Sequence, residues 1–152
     1  MSALDNKQLA VDFLKAMHSG DHEAGASMLT DDCEFFLAGD MAKSGRLSAA
    51  GGLAIWAGIT NAIQGGTFNF GHVTAEQDRV SIEAESFGTI NDVAFHNQHH
   101  FLIRVRNGKI YQFKEYFDTL HVWEIINSMF FDGMPRAQRT SNIDEITDSI
   151  SK

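Results

Sequence analysis

Asn107-Gly108 separates two apolar runs, Val93 to Arg106 and Lys109 to Asp118, and an Asn-Gly pair in that position is the strongest short signal for a tight antiparallel hairpin. Such a connection needs positive φ at both central residues, which Asn and Gly tolerate better than other residues. Both runs therefore read as strands. Upstream, Thr67 to Thr74 and Arg79 to Thr89 read the same way, with Asn91-Asp92 as a further turn. Four successive strands joined by short turns predict an antiparallel meander.

The first half of the chain has a different period. Leu9, Val11, Phe13, Leu14 and Met17 fall largely on one side of a helix from Leu4 to His18, which Ser19-Gly20-Asp21 stops before capping another. A short second helix is expected over His22 to Leu29, followed by a strand over Cys33 to Leu37. Ala38 to Leu47 reads as a loop. Ser48 is placed to cap a third helix to about Ile63, with Gly65-Gly66 beyond it, although Gly51, Gly52 and Gly58 weaken its interior. Asp118-Thr119 offers a cap for a last helix carrying Leu120, Val122, Trp123, Ile125, Ile126 and Met129. Helices preceding a meander imply an α+β domain in which helices pack on one face of a curved sheet. One domain over 1–131 and a polar tail over 132–152 are expected.

A formal charge of −8 leaves no basic field for phosphates, which disfavours nucleic acid and anionic membrane surfaces as partners. No apolar run approaches the ~18 residues of a membrane span. The start MSALDNKQ has neither the basic region nor the apolar run of a signal peptide, so a cytoplasmic location is expected. Twelve Phe residues suit either a dense core or an apolar cavity.

The order of elements, the early Ser19-Gly20-Asp21, Thr30-Asp31-Asp32 before the first strand, and Gly108-Lys109-Ile110 followed by Glu115-Tyr116-Phe117-Asp118 together resemble the SnoaL-like branch of the nuclear-transport-factor-like (NTF2-like) superfamily. The resemblance spans roughly Leu4 to Phe131. It implies a cone-shaped, barrel-like antiparallel sheet wrapped around helices, a pocket for a small apolar organic molecule, no cofactor, and a homodimer. Ketosteroid isomerases, polyketide cyclases and limonene epoxide hydrolases share this frame. Where ketosteroid isomerases carry a tyrosine and an aspartate base, this chain has Phe13 and Leu37, and their second acid falls near His99. Neither Phe nor Leu exchanges a proton, so steroid isomerisation by that route is not expected. Positions used by limonene epoxide hydrolase fall at Phe35, Leu37, near Glu83 and Glu85, and at Glu115. Only the last keeps a carboxylate where the relative needs one, and the arginine is lost.

Strand alternation groups Cys33, Phe35 and Leu37 on one face, Phe95, Asn97, His99, Phe101 and Ile103 on another, and Tyr111, Phe113, Glu115 and Phe117 on a third. With these faces lining the cone, Glu115 and His99 are ionisable groups set among phenylalanines. A carboxylate in such surroundings has its charged form penalised and becomes able to take a proton near neutral pH. Imidazole is its natural partner for general acid-base chemistry. Glu115 is the expected base and His99 the acid or orienting group; the alternative is that Glu115 pairs with Arg104, Lys114 or another cation and His99 is structural. Asn97, Glu83 and Glu85 are further candidates. Val80, Ile82 and Ala84 on the opposite face look like core, however, which turns both glutamates to solvent.

Phe13, Met17, Phe35, Leu37, Trp56, Phe101, Phe113 and Phe117 are the expected pocket residues. His96 and His99 point to opposite faces of an extended strand, and His96 and His100 lie roughly 13 Å apart at ~3.3 Å per residue, so no metal site is expected. Cys33 reads as a small buried side chain. Two functions remain open: a cofactor-independent isomerase, cyclase or hydrolase acting on an apolar metabolite, and a non-catalytic ligand-binding or dimerisation module. In the second, Leu102 with Val80 or Ile82 would form the outer contact face.

Overall fold

The computed structural model describes residues 2–130, with side chains described through Ile125. Ser2 begins the first helix, α1 (Ala3–Ser19), through a reciprocal cap: its hydroxyl accepts from the Asp5 amide at 3.2 Å and its own amide donates to the Asp5 carboxylate at 2.8 Å. Gly20 ends α1 in the left-handed region at φ 84°, and Asp21 caps α2 (His22–Ser27) by accepting from the Ala24 amide. β1 (Leu29–Leu37) follows, then β2 (Gly45–Ser48) and α3 (Ala49–Ala62), whose N-cap is Ser48. The meander is β3 (Gln64–Glu76), β4 (Arg79–Ile90), β5 (Val93–Arg106) and β6 (Lys109–Phe117), and α4 (Thr119–Phe130) closes the described part. The tail lies outside the described residues.

The hairpins form where the turn residues require. Asn91 and Asp92 have φ of 50° and 63°, Asn107 and Gly108 of 51° and 76°, and the pairs Ile90↔Val93 and Arg106↔Lys109 flank them. Strand order is β2-β1-β6-β5-β4-β3 in one curved, unclosed α+β sheet. The frame is therefore an open cone rather than a closed barrel. Two features depart from the sequence reading. β2 pairs with β1 through four residues, three of them inside the expected loop, and β1 runs parallel to β6, so the sheet is not purely antiparallel.

Phenylalanines fill the narrow part of the cone. Phe113 is the hub, with ring centroids 4.9 Å from Phe35, 5.4 Å from Phe13 and from Phe101, and 5.8 Å from Trp56. Leu14, Met17, Val80, Ile82 and Ile103 pack into the same cluster. α3 approaches it closely because residue 52 is glycine: a Cβ there would lie 2.2 Å from Cγ of Phe35. This contact explains a glycine in a helix interior, where it ordinarily costs about 1 kcal/mol. A second, smaller cluster of Met41, Ile90, Phe95 and Val122 sits under α4.

Val80 and Ile82 are fully buried inside the cone, so they form no outer contact face; Leu102 alone of that expected trio lies on the outer side, half-buried. Alternation accordingly sends Glu83 and Glu85 outward.

Candidate functional site

Neighbouring strands bring polar side chains together on the inner face of the cone: Ser86 from β4, His99 from β5 and Glu115 from β6. Ser86 pairs across with Asn97, and Glu115 with Phe101, so His99 sits diagonal to both. Diagonal neighbours on a sheet are within reach of long side chains. His99 Nδ1 lies 2.9 Å from Glu115 Oε1, and His99 Nε2 lies 2.7 Å from Ser86 Oγ. From α3, the Trp56 indole N–H donates to Glu115 Oε2 at 3.1 Å. The side chains of His99 and Glu115 are only 10% and 9% exposed.

These groups face a cavity at the seam between the two core clusters, also walled by Leu37, Met41, Ile59, Ile63, Phe68, Phe95, Phe117 and Val122. Its volume is about 60 Å³, counted as space open to the centre of a water-sized molecule. That is several times the minimum for one water. His18, Lys43 and Thr60 add polar groups to the wall.

The placement separates the expected residues. Leu37, Trp56 and Phe117 line the cavity with His99 and Glu115, whereas Phe13, Met17, Phe35, Phe101 and Phe113 are absent from its wall. The rings of Phe13, Phe35, Phe101 and Phe113 pack on one another instead. Asn97 is buried but engaged elsewhere: its amide donates to the Asp118 carbonyl and its oxygen accepts from the Asp118 N–H, which fixes the junction of β6 and α4. Glu83 meets His72, and Glu85 meets Gln98 and His96, all on the outer face. Neither belongs to the cavity group.

Glu115 has His99 and Trp56 as partners, whereas Arg104 bonds Asp78. Burial, reinforced by Asp32 and Glu34, pushes the Cys33 thiol up to about 12, which leaves it a packing residue. Among the described residues, no cluster of three or more His, Cys, Asp or Glu has the geometry of a metal site.

Four polar members of the wall, Ser86, His18, Lys43 and Thr60, were not singled out in the sequence. Ser86 has the parity of Ile82 and Ala84, so extending that inward face by one step reaches a hydroxyl. His18 lies four residues after Leu14 on the buried side of α1. Its ring packs 5.1 Å from Phe68.

Burial and the nearby His99 hold the His18 imidazole below its ordinary value of 6.5, opposed by a hydrogen bond to the Gly66 backbone. The unfolded chain thus takes up this proton first as pH falls. The stability contributed by neutral His18 is full above pH 6.5 and declines as pH drops toward the depressed folded-state value. Thermal melts from pH 7.5 to 5 should show a steeper loss of Tm in the wild type than in His18→Gln; parallel curves would show that His18 does not contribute.

The SnoaL-like domain family matches residues 10–113, about two-thirds of the chain. The chain belongs to this family. SnoaL-like domains have the NTF2-like frame, which binds small ligands. An NTF2-like protein from Burkholderia xenovorans is 24% identical with a TM-score of 0.67, covering 82% of this chain and 98% of its own. TerC, crystallised with polyporic acid, is 20% identical with a TM-score of 0.69, covering 81% and 98%. An LEH-like epoxide hydrolase from M. tuberculosis is 16% identical with a TM-score of 0.67, covering 82% and 90%. At these identities the likeness is one of fold. No curated protein matches the chain. Among the described residues, no helix of this SnoaL-like domain is long and apolar enough to cross a membrane.

Proposed function

We propose that this SnoaL-like protein is a cofactor-independent enzyme that transforms a small, mainly apolar metabolite by acid-base chemistry, as an isomerase, cyclase or hydrolase. The observation that carries the reading is the His99–Glu115 contact at 2.9 Å, nearly sealed from water yet facing an apolar cavity. A proton taken from a substrate is stabilised on the imidazole by the carboxylate beside it, and the low local dielectric strengthens that interaction. The two act as a unit: Glu115 holds the ring and its charge, and His99 exchanges the proton. The epoxide hydrolase relative and the polyporic acid complex of TerC agree with a frame able to accept organic substrates.

The test is turnover of a panel of small epoxides, enolisable ketones and esters, followed by His99→Gln on whichever compound reacts. Loss of a positioned acid-base group is expected to lower kcat by about 10²- to 10⁴-fold. Full turnover by His99→Gln would remove the acid-base reading.

The alternative, a non-catalytic ligand-binding or dimerisation module, draws on the dense phenylalanine packing that narrows the cavity. Ligand binding without turnover of any panel member would favour it. In either case a homodimer is the expected assembly, with the outer sheet face as contact. Phe36 and Tyr116 lie there with ring centroids 6.1 Å apart, near half-buried Leu102. Light scattering at micromolar concentration should give twice the chain mass; a monomer would contradict this.

A further inference from the structure

The Ser86 hydroxyl completes a directional hydrogen-bond chain that the acid-base reading does not require. An indole nitrogen only donates, so Trp56 fixes Oε2 of Glu115 as an acceptor. With Glu115 as carboxylate, Oε1 also accepts, so the ring proton of neutral His99 sits on Nδ1. Nε2 then carries the lone pair, and the 2.7 Å contact has Ser86 O–H as donor. A hydroxyl donating to an imidazole, whose other nitrogen donates to a buried carboxylate, is the arrangement that activates a serine nucleophile. Three adjacent strands hold it, and Ser86 is itself on the cavity wall.

We propose that Ser86 is a nucleophile for acyl transfer, activated by His99 and Glu115, and that the substrate class is a small ester with an apolar acyl group. The inference rests on the acid-base reading of the same cavity and narrows it to a hydrolase. In the first half-reaction Oγ of Ser86 bonds the ester carbonyl carbon and passes its proton to His99 Nε2. The carbon–alkoxide bond breaks, and the same proton leaves with the alcohol. Water then adds to the acyl-serine, loses a proton to Nε2, and releases the acid as Oγ recovers a proton. Glu115 stays ionised and bonded to Nδ1–H throughout, as a positioning residue.

An internal control exists on the outer face, where Ser81 Oγ lies 2.7 Å from His100 Nε2 in a solvent-exposed setting. Treating the whole chain with phenylmethylsulfonyl fluoride, followed by peptide mass mapping, should place one sulfonyl group on Ser86 and leave Ser81 unmodified. p-Nitrophenyl acetate should give a burst of p-nitrophenol. Ser86→Ala should abolish both, His99→Gln and Glu115→Gln should slow both at least about 100-fold, and Ser86→Cys should retain the burst. No adduct on Ser86, equal modification of Ser81, or an unchanged burst in Ser86→Ala would overturn the proposal.

A phenol titration monitored at the Trp56 indole N–H signal by NMR separates this failure from that of the broader reading. Perturbation of Trp56 without modification of Ser86 overturns the nucleophile and leaves the acid-base cavity intact. Neither perturbation nor modification overturns both.

Discussion

Replacing Glu115 with glutamine is expected to lower turnover by about 10²- to 10⁴-fold while leaving the fold intact, because the amide cannot satisfy two donors at once. Trp56 Nε1–H and His99 Nδ1–H both point at this side chain and both need an acceptor. Glutamine offers one oxygen and one NH₂ group. When the oxygen faces Trp56, the NH₂ group faces His99 and forces the ring into the other tautomer, with the proton on Nε2. The contact with Ser86 then reverses, and the imidazole no longer has a lone pair where the chemistry needs one. The measurement is kcat for the reacting panel compound together with ¹⁵N shifts of the His99 ring. Unchanged kcat with a switched tautomer would show that the pair is structural.

Truncating Phe113 to alanine is expected to produce the largest loss of stability. A buried Phe→Ala change costs about 3–5 kcal/mol, against a total of about 5–15 kcal/mol for a domain of this kind. Phe113 touches the rings of Phe13, Phe35, Trp56 and Phe101, so few neighbours can collapse into the void without losing other contacts. At about 2–4 °C per kcal/mol for this chain length, the melting temperature should fall by roughly 6–20 °C. A shift below about 2 °C would show that the ring cluster is loosely packed and that the cone has spare room. The same variant should free Trp56 to move, which couples this core position to the carboxylate that Trp56 holds.

How far the sequence specified this architecture follows from which contacts are local. The Asn107-Gly108 and Asn91-Asp92 hairpins were readable because turn conformation and flanking periodicity reside in a few adjacent residues. The caps at Asp21 and Ser48 were readable for the same reason. The parallel pairing of β1 with β6 joins residues far apart in the chain, such as Phe35 and Phe113, and no local pattern announces it. β2 escaped notice because four residues, including one glycine, are too short a run to show a period.

The site divides along the same line. His99 and Glu115 stood out as polar residues on aromatic strand faces, and the strand parity that made them visible also bore on β4. There, two cues conflicted: position by resemblance pointed to Glu83 and Glu85, whereas the Val80, Ile82 and Ala84 alternation pointed to their opposite face. The alternation was the better guide because burying apolar side chains sets the register of a half-covered strand, and a slip of one residue would put three of them in water. Followed one step further, it reaches Ser86. The expected pocket residues divide for a related reason. Phe13, Phe35, Phe101 and Phe113 have the pattern of wall residues, but only their three-dimensional packing tells a lined cavity from a filled one.

A crystal structure with a reacting panel compound, or a close unreactive analogue, bears most directly on the proposal that the His99–Glu115 pair works on a ligand inside the cone. The expected result is a ligand between Trp56, Phe68 and Phe95 with a polar atom about 3 Å from His99 or Ser86, and with the His99–Glu115 contact preserved. A ligand seated elsewhere, or an empty cavity under saturating compound, would contradict it.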